Sequence, residues 1–549
     1  ASRTRGAVGD VVLRHLLAGG FAGPVYPVNP AAVAVASVRA YPSVLDVPDE
    51  VDLAVVCTPP AVVPQVVEQC GRKGVRGLVV LTDMGPGEAT RSLVTAARAH
   101  GMRVVGPAGL GIVDLATGLN ASLASRLPPP GRVGCYSQSG PLGFALLSAA
   151  AERGLGMSSF VSAGNRADVS GNDLLQYWED DEGTDVVLMH LETFGNPRKF
   201  ARLARRVGRT TPVVVVKSSR SPLDDALLRQ AGVIRVDRVS QGFDVAALLV
   251  GQPLPRGRRV AVVGDAPALV GLTVRACEAA GLVPDPVMLD AGSSPENYEG
   301  AFLRAAEGRD AVVSAVVPPF SSDWRALAAA VSSAAARSGT PVVATVLGSE
   351  PVPAELAPVP AYPSPEGAVA ALARAVTYAW WRTTPPGTVP AVPVDRGAAR
   401  AAVRAPGPLD PSGAARLLAA YGIPVVPAVP VRSPDEAVET AERLGWPVAL
   451  KARAPEHRYR PDLGAVRLDL AGEPELRSAW AAVTARLGDG PYVLQAMAPP
   501  GVPLVVGSVE DPTYGPLVSF GVAGVATDLL GDRAYHILPL TDADATRLV

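Results

Sequence analysis

The sequence predicts an α/β protein that contains several parallel sheets. Short, valine-rich apolar runs alternate with helical segments through most of the chain, and these runs end in Pro, Asn, Asp or Gly. Apolar β-branched runs of this kind are typical of parallel strands that are covered on both faces. Strands that alternate with helices indicate βαβ units, in which ligands bind at the carboxyl ends of the strands.

Length and composition indicate several packed cores. The chain has 549 residues, more than a single core usually supports, so three or four domains are expected. The net charge is −2, and no basic stretch is combined with aromatic residues, which argues against nucleic-acid binding. No apolar run approaches the ~20 residues that span a bilayer, and no signal-peptide pattern is present, so a cytoplasmic protein is expected. The four cysteines lie singly among apolar neighbours, which predicts buried free thiols.

The first predicted domain covers residues 1–126. A helix with phosphate-compatible Ser2, Arg3 and Gly6 opens it, but no strand precedes that helix. Because the chain also stops abruptly at Val549, we expect both ends to be truncated. Four apolar runs are predicted to lie in the parallel sheet of this domain: 23–30, 51–60, 75–85 and 102–111.

Three further domains follow along the chain. Residues 127–253 and 254–384 predict two α/β units of the same architecture. Residues 385–408 are rich in Pro, Ala and Gly, which is typical of a linker. Residues 409–549 predict a mixed α/β domain.

A short polar turn is the first candidate site. Ser137, Gln138, Ser139 and Gly140 lie between a predicted strand and an Ala-rich helix. Hydroxyl groups and a glycine at a helix N-terminus present N–H groups and a positive dipole end to an anion. Two interpretations stay open, a phosphate site and an ordinary serine N-cap.

A second polar stretch, Ser162–Asp181, joins a predicted strand to a helix. Small polar residues in such a loop suit a ligand or a partner domain, and a solvated loop with a helix cap is the alternative. The polar side chains in question are those of Asn165, Arg166, Asp168, Asn172 and Asp173.

His190 and Glu192 end a third predicted strand. Residues two apart on a strand point to the same face, so Glu192 is a candidate to orient a reacting histidine. A structural role for His190 is the alternative.

The last domain contains a candidate nucleotide site. Lys451 ends an apolar strand and is followed by a basic loop, and Asp528 and Asp532 lie farther along the chain. A lysine with one or two carboxylates is suited to bind Mg-ATP. The alternative is that these residues form salt bridges on the protein surface.

Taken in order, four phrases resemble a known family. They are "VYPVNP" (Val25–Pro30), "SQSG" (Ser137–Gly140), "SFVSAGNRADVSGNDLLQYW" (Ser159–Trp178) and "LLRQAGVIRV" (Leu227–Val236). The chain resembles the NDP-forming acyl-CoA synthetases, which include ADP-forming acetyl-CoA synthetase and are related to succinyl-CoA synthetase. It is similar in particular to actinobacterial forms fused to a GNAT domain, akin to Pat-type protein lysine acetyltransferases.

The resemblance implies a Rossmann-like CoA-binding domain, two flavodoxin-like succinyl-CoA-synthetase-type domains and an ATP-grasp domain. It also implies CoA or acetyl-CoA, ATP or ADP, and Mg²⁺ as ligands. The implied CoA-binding residues are Ser2, Arg3, Gly6, Val28, Asn29, Pro30, Thr58, Pro59, Thr82 and Asp83. The implied catalytic residues are Ser137, Ser139, Gly140 and Glu192, where Glu192 matches a glutamate that steadies a phosphohistidine. The implied nucleotide-binding residues are Lys451, Gln495 and Met497, and the implied metal ligand is Asp528.

The chain departs from the family pattern at the phosphohistidine. In ligating members, a loop with Ser-His-Thr-Gly follows the strand that ends in Lys, and its histidine carries phosphate to the nucleotide site. Here the stretch from Lys217 to Gly232 contains no histidine. The usual Gly-Pro-Asn also reads Gly106-Pro107-Ala108, and Pro503 replaces a family glutamate.

Three functional interpretations follow from these features. The first is an NDP-forming ligase that acts on CoA, a carboxylic acid and a nucleotide. The second is a ligase-inactive module that senses CoA or acyl-CoA and regulates a fused or associated GNAT acetyltransferase domain. The third is an oligomerisation scaffold, which the retained CoA-site residues disfavour. Self-association into a homo-oligomer is expected under each.

Overall fold

The computed structural model describes residues 1–217, 219, 221–290, 292–317, 323–348, 352–404, 407–452, 464–524 and 531–549. Strands alternate with helices through the first three units of the chain, and three of the sheets contain parallel strands. The predicted α/β class is therefore confirmed. Within the described ranges, no helix combines the length and apolar character that a membrane span requires.

The first unit contains a three-stranded parallel sheet and a small hairpin. Its elements are α1 (Val8–Ala18), β1 (Ala34–Val35), β2 (Val38–Arg39), β3 (Leu53–Val56), α2 (Val63–Lys73), β4 (Gly77–Val80), α3 (Glu88–Ala99) and β5 (Arg103–Val105). The parallel sheet has the order β3-β4-β5. The run 23–30, which the sequence predicts as a strand of this sheet, is not part of it. Its one β-type pairing is an isolated bridge from Val28 to Tyr41. Pro24, Pro27 and Pro30 have no N–H to donate to a ladder.

The second unit is a seven-stranded sheet with helices on both faces. Its elements are β6 (Gly111–Asp114), β7 (Leu119–Ser122), β8 (Pro130–Ser137), α4 (Gly140–Arg153), β9 (Met157–Ser162), α5 (Gly171–Asp180), β10 (Val186–His190), α6 (Pro197–Val207), β11 (Val213–Val216), α7 (Pro222–Gln230), β12 (Ile234–Val236) and α8 (Val239–Gly251). The order is β12-β11-β10-β8-β9-β6-β7. The strands β8 to β12 run parallel, whereas the β6–β7 hairpin joins the edge at β9 antiparallel.

The third unit is a five-stranded parallel sheet. Its elements are β13 (Arg259–Gly264), α9 (Pro267–Ala279), β14 (Val283–Met288), α10 (Pro295–Ala306), β15 (Ala311–Val316), α11 (Trp324–Ser338), β16 (Val342–Val346), β17 (Ala361–Tyr362) and α12 (Pro365–Thr383). The order is β14-β13-β15-β16-β17. One apolar cluster runs from Leu188 and Val214 of the second sheet to Val260 and Val262 of the third. The second and third units therefore share a core.

The fourth unit contains two antiparallel sheets, in the orders β18-β21-β19-β20 and β22-β23-β24. In chain order, its elements are α13 (Arg396–Ala402), α14 (Pro411–Ala420), β18 (Val429–Val431), α15 (Pro434–Leu444), β19 (Val448–Ala452), β20 (Val466–Leu470), α16 (Glu473–Leu487), β21 (Tyr492–Ala496), β22 (Leu504–Asp511), β23 (Gly515–Val522), β24 (Arg533–Ile537) and α17 (Asp542–Leu548). The helix α13 lies within the stretch 385–408 that the sequence predicts as a linker.

The four cysteines are free thiols, and Cys70, Cys135 and Cys277 are buried. Burial raises the pKa of Cys135 to about 12 and that of Cys70 to about 11. These thiols are therefore protonated at neutral pH and belong to the packing of the cores.

Candidate active site

The SQSG stretch forms the turn between β8 and α4. Ser137 is the last residue of β8, and Ser139 is the N-cap of α4, which begins at Gly140. The Ser139 hydroxyl oxygen accepts a hydrogen bond from the N–H of Leu142 (3.3 Å), so Ser139 acts as a cap. The turn also places the positive end of the α4 dipole at the carboxyl end of the sheet, where an anion is favoured.

Gln138 holds the loop that follows the neighbouring strand β10. Its side-chain oxygen Oε1 accepts hydrogen bonds from the N–H groups of Glu192 (2.8 Å) and Thr193 (3.0 Å). Its Nε2 donates to the carbonyl oxygen of Thr193 (2.6 Å). Because Gln138 is only 8% exposed, these three bonds fix the position of the backbone at Glu192. The sequence pattern did not indicate this role for Gln138, since its partners lie more than fifty residues away.

His190 is buried at the end of β10. Its Nδ1 lies 3.5 Å from the hydroxyl oxygen of Ser137. Burial lowers the pKa of His190, and the nearby charge of Lys217 lowers it further, against an opposing effect of Glu192. The expectation that His190 and Glu192 share a strand face does not hold, because β10 ends at His190 and Glu192 lies exposed in the next loop. His190 is therefore a neutral, buried neighbour of the turn.

Lys217 lies at the end of β11, beside the same loop. The side chain is buried, and its Nζ donates a hydrogen bond to the carbonyl oxygen of Glu192 (2.7 Å). The Nζ also lies 5.2 Å from the ring centre of Phe194 and 3.4 Å from Oδ2 of Asp224 on α7. Lys217 and Gln138 thus hold the Glu192 loop from both neighbouring strands. The sequence placed Gln138 in a candidate anion site but did not indicate this positioning role for either residue.

The predicted CoA-site residues of the first unit lie in adjacent loops. The Asn29 side chain donates to the carbonyl oxygen of Ala1 (2.9 Å), which joins the chain start to segment 28–30. The Ser2 hydroxyl oxygen accepts from the N–H of Thr4 (3.1 Å). Gly6, whose φ of +81° lies in the left-handed region, donates its N–H to Asp10 (3.0 Å). Arg3 and Pro30 are both exposed.

The remaining predicted CoA-site residues follow the ends of β3 and β4. The Thr82 hydroxyl donates to the carbonyl oxygen of Thr58 (2.6 Å), and Asp83 accepts from the N–H of Gly85 (2.8 Å). Pro59 is exposed beside Thr58. The carboxyl ends of both strands are therefore connected, and their polar side chains border a single edge of the sheet.

The loop that follows β5 connects this edge to the N-terminus of α4. The N–H of Ala108 donates to the carbonyl oxygen of Thr82 (3.2 Å). A Cβ placed on Gly140 would lie 3.8 Å from the carbonyl oxygen of Ala108, so the loop 106–109 passes directly over the start of α4. The N–H of Asn165 also donates to the carbonyl oxygen of Pro107 (2.9 Å). The first and second units therefore meet at the candidate anion site.

The polar stretch Ser162–Asp181 contributes to the same contact. The Asp168 carboxylate is fully buried and accepts hydrogen bonds from Nε of Arg98 (3.0 Å), Nε of Arg103 (2.9 Å) and the N–H of Val104 (2.9 Å). Asp173 forms a capping box with Ser170 at the start of α5. Both alternatives for this stretch therefore apply, to different residues. Asp168 contacts the neighbouring domain, and Asp173 caps a helix.

The Asp168 contact makes a testable contribution to stability. Burial raises the pKa of Asp168, but the hydrogen bonds from Arg103 and Arg98 outweigh it and keep the pKa below its ordinary value. A lowered folded-state pKa stabilises the protein above the unfolded-state value of about 3.9, and this stabilisation is lost as the pH falls through the folded-state pKa. We expect Asp168→Asn to lower the free energy of unfolding by about 1–3 kcal/mol at pH 7. The difference from wild type should shrink below pH ~4, as urea denaturation at pH 7, 5 and 3.5 would measure.

An exposed aspartate provides the control. Asp52 pairs with Arg76 at 3.6 Å, and both side chains are largely exposed. Asp52→Asn should therefore change the free energy of unfolding by less than about 0.5 kcal/mol at any of these pH values. Equal effects of Asp52→Asn and Asp168→Asn would contradict a specific contribution of the buried carboxylate.

In the fourth unit, the predicted nucleotide residues lie together on the four-stranded sheet. The Nζ of Lys451 on β19 donates to Oε1 of Gln495 on β21 (2.7 Å). The Gln495 amide in turn donates to the carbonyl oxygen of Val426 (2.9 Å), and the N–H of Met497 donates to the carbonyl oxygen of Pro447 (3.1 Å). Asp528 and the basic loop after Lys451 lie outside the described residues. In the part of the chain that is described, no group of three or more His, Cys, Asp or Glu side chains is arranged to hold a metal.

Three family models match the chain. They are described as a CoA binding domain (residues 1–114), a succinyl-CoA ligase like flavodoxin domain (residues 130–226) and an ATP-grasp domain (residues 400–549). The first match contains the loops that border the first sheet, and the second contains the turn before α4. The third contains Lys451 and Gln495.

Two curated relatives match the chain over its whole length. An ADP-forming acetate–CoA ligase I of Archaeoglobus fulgidus is 30% identical over 616 aligned positions, which cover 100% of this chain and 88% of the relative. An ADP-forming 4-hydroxybutyrate–CoA ligase of Nitrosopumilus maritimus is 27% identical over 620 positions, with the same two coverages. Since 620 positions exceed the 549 residues of this chain, that relative contains segments with no counterpart here.

A solved structure also matches most of the chain. It is the dinucleotide-forming acetyl-coenzyme A synthetase 1 of Candidatus Korarchaeum cryptofilum in complex with phosphate and ADP. The sequence identity is 28% and the TM-score is 0.65, over 70% of this chain and 94% of the other.

Proposed function

Because this chain belongs to the NDP-forming acyl-CoA synthetase family, we propose that it binds CoA or acyl-CoA together with ATP or ADP and joins a carboxylic acid to CoA. The overall reaction converts acid, CoA and ATP to acyl-CoA, ADP and phosphate. One observation carries the proposal: the loop 106–109 of the CoA-binding domain lies over Gly140 at the start of α4. The thiol of a CoA molecule bound along that loop would therefore lie beside the N-terminus of α4, which favours an anion.

CoA is proposed to bind across the carboxyl edge of β3, β4 and β5. Polar side chains and backbone N–H groups at strand ends suit phosphate and amide groups. The exposed Arg3 supplies a cation beside Ser2 and Gly6. The proposed contact set is completed by Val28, Asn29, Pro30, Thr58, Pro59, Thr82 and Asp83.

Acyl transfer is proposed to occur at the turn before α4. The CoA sulfur attacks the acyl carbon of an acyl phosphate, a C–S bond forms, and the C–O bond to phosphate breaks. The thiol proton passes to water, and the phosphate leaves toward Ser137, Ser139 and Gly140. Helix N–H groups and the dipole stabilise the leaving anion. Glu192 borders this site, at the position that the resemblance assigns to a residue steadying phosphohistidine.

The nucleotide is proposed to bind on the four-stranded sheet, with Lys451 beside its phosphates and Gln495 and Met497 beside its base. Mg²⁺ would neutralise phosphate charge, and the family resemblance implies Asp528 as its ligand. The regulatory alternative has no support in the relatives above, which are ligases.

The test separates the two parts of the reaction. Purified protein is incubated with Mg-ATP, CoA and a panel of short carboxylic acids, and acyl-CoA is measured by mass spectrometry. A parallel incubation contains acetyl phosphate and CoA without nucleotide. We expect acyl-CoA from acetyl phosphate, because the CoA-binding and succinyl-CoA ligase like domains are both matched. Product from ATP also requires a group that carries phosphate from the nucleotide to the acid, and the stretch 217–232 contains no histidine for that step. Glu192→Gln should reduce the ATP-dependent product and leave the acetyl phosphate reaction unchanged.

Each outcome of this test contradicts a different part of the proposal. Product from acetyl phosphate alone would limit this chain to acyl transfer, in line with the stretch 217–232 that contains no histidine. No product in either incubation, from protein that is folded by circular dichroism, would overturn the proposal. The CoA-sensing alternative would then be tested by calorimetry with CoA and acetyl-CoA.

A further inference from the structure

A hairpin of the ATP-grasp domain packs against the succinyl-CoA ligase-like domain. It consists of β22, β23 and the turn that contains Tyr514. The turn is ordered internally, because Asp511 accepts hydrogen bonds from the N–H groups of Thr513 (2.8 Å) and Tyr514 (2.9 Å). Arg198 on α6 donates to the carbonyl oxygen of Tyr514 (3.2 Å). The Tyr514 side chain packs against the apolar cluster beneath α6 and α7.

A second contact fixes the same orientation. Gln230 at the end of α7 donates its Nε2 to the carbonyl oxygen of Ile537 (3.1 Å) and accepts from the N–H of Ile537 (3.2 Å). Ile537 lies on β24, next to β23 in the three-stranded sheet. Two neighbouring strands of the ATP-grasp domain therefore contact α6 and α7 through paired polar and apolar groups.

The tyrosine of this hairpin reaches a buried ion pair. The Tyr514 hydroxyl donates a hydrogen bond to Oδ1 of Asp224, which is only 6% exposed. The other oxygen, Oδ2, lies 3.4 Å from Nζ of Lys217, which is 3% exposed. Burial, together with the hydrogen bond and charge of Asp224, raises the pKa of Tyr514, so its hydroxyl stays protonated and can donate. A buried carboxylate and ammonium need such partners, because each charge is costly without them.

The ion pair continues to the candidate active site. The Nζ of Lys217 donates to the carbonyl oxygen of Glu192 (2.7 Å) and lies over the ring of Phe194. Lys217 immediately follows β11, and α7, with Asp224 in its first turn, begins at Pro222. The network therefore consists of three consecutive contacts, from Tyr514 to Asp224, from Asp224 to Lys217 and from Lys217 to the Glu192 backbone.

We propose that Tyr514, Asp224 and Lys217 are positioning residues that couple the packing of the ATP-grasp hairpin to the conformation of the loop 191–194. When the hairpin is in place, its hydroxyl satisfies Oδ1 of Asp224, and Lys217 is held between Asp224 and Glu192. When the hairpin moves away, Asp224 loses that donor and the Lys217 contact to Glu192 weakens. The conformational coupling stands on these contacts alone, whereas its effect on catalysis rests on the proposed function.

Hydrogen–deuterium exchange of the full chain, without substrates, tests the coupling. Tyr514→Phe removes only the hydroxyl and keeps the ring in the apolar cluster. We expect amide exchange in the segment 191–196 to become about tenfold faster, because a hydrogen bond to a charged group is lost. Tyr535→Phe is the matched control, since Tyr535 lies on β24 and its hydroxyl forms no hydrogen bond with another described residue. Its exchange in 191–196 should equal that of wild type.

Charge removal gives a second, independent measurement. Among the described residues, Asp224→Asn removes the carboxylate that pairs with the buried Lys217, and Lys217→Met removes the ammonium that pairs with the buried Asp224. Each single variant should accelerate exchange in 191–196 by more than Tyr514→Phe does. The double variant Asp224→Asn with Lys217→Met removes both charges and should be less perturbed than the sum of the two single variants. This non-additivity distinguishes a coupled pair from two unrelated structural effects.

The exchange and activity measurements test the conformational coupling and the proposed function separately. Exchange in 191–196 that stays at the wild-type rate in Tyr514→Phe, or that rises equally in Tyr535→Phe, would overturn the coupling whatever the activity. Faster exchange in a chain that forms no acyl-CoA would support the coupling and overturn the proposed function. In an active chain, Tyr514→Phe should lower kcat and leave the KM for CoA unchanged, because Tyr514 does not line the CoA site.

Discussion

Gly164→Ala is expected to lower acyl transfer from acetyl phosphate to CoA by about 100-fold, since displacing reacting groups by about 1 Å has effects of that size. A Cβ at Gly164 would lie 2.3 Å from the carbonyl oxygen of Pro107 and 2.5 Å from N of Gly109. These contacts are with backbone atoms, so the loop 106–109 must shift relative to Gly164 to accommodate the methyl group. The rate of acetyl-CoA formation and the Kd for CoA are the measurements.

The conformation of Gly164 must be separated from its close contacts. Gly164 has a φ of +50°, in the left-handed region, where alanine costs about 1 kcal/mol by itself. Gly154, the C-cap of α4, has a φ of +65° and no other atom within 4 Å of an added Cβ. Gly154→Ala therefore carries the conformational cost without the steric conflict. We expect Gly154→Ala to lose stability and to retain acyl transfer.

The comparison of Gly164→Ala with Gly154→Ala tests whether acyl transfer depends on the position of the loop 106–109 over α4. If Gly164→Ala transfers acetyl groups as fast as Gly154→Ala, the approach of the loop 106–109 to Gly140 is not needed for the reaction. If CoA binding is lost together with the rate, the loop contributes mainly to binding. A fall in rate that is larger than the change in Kd is the expected outcome, because the thiol end of CoA is the part that is proposed to lie along this loop.

Local patterns in the sequence predicted the parts of the fold that depend on neighbouring residues. The four valines 213–216 form a fully buried parallel strand, as a β-branched apolar run predicts. The SQSG turn lies between a strand and a helix, as its hydroxyl groups and glycine predict. In both cases, burial on two faces or capping at a helix end leaves a signature within a few residues.

Contacts between distant segments were not predictable in this way. Asp168 pairs with Arg98 and Arg103, some 70 residues earlier, and nothing near Asp168 in the sequence identifies these partners. The Tyr514–Asp224 contact joins residues 290 positions apart. The expectation that His190 and Glu192 share a strand face fails because the two-residue periodicity applies only within a strand, and β10 ends at His190.

The second large effect is expected for Gln138→Glu, which should destabilise the protein by about 1–3 kcal/mol at pH 8 and much less at pH 5. The substituted oxygen takes the place of Nε2, which donates to the carbonyl oxygen of Thr193 at 2.6 Å. An ionised glutamate puts two acceptors face to face, whereas a protonated one donates to Thr193 and still accepts from Glu192 and Thr193. The folded state therefore favours the neutral carboxyl group and raises its pKa above the unfolded value of about 4.3.

The sign of the pH dependence follows from that raised pKa. The stabilising hydrogen bond is fully present below the unfolded-state pKa and is lost as the pH rises through the folded-state pKa. Urea denaturation of Gln138→Glu and wild type at pH 5 and pH 8 measures the difference. Gln138→Leu is the control, because it removes all three hydrogen bonds at every pH and should be destabilised by a constant ~3 kcal/mol. A Gln138→Glu variant as stable as wild type at pH 8 would mean that the side chain of residue 138 does not hold the Glu192 loop.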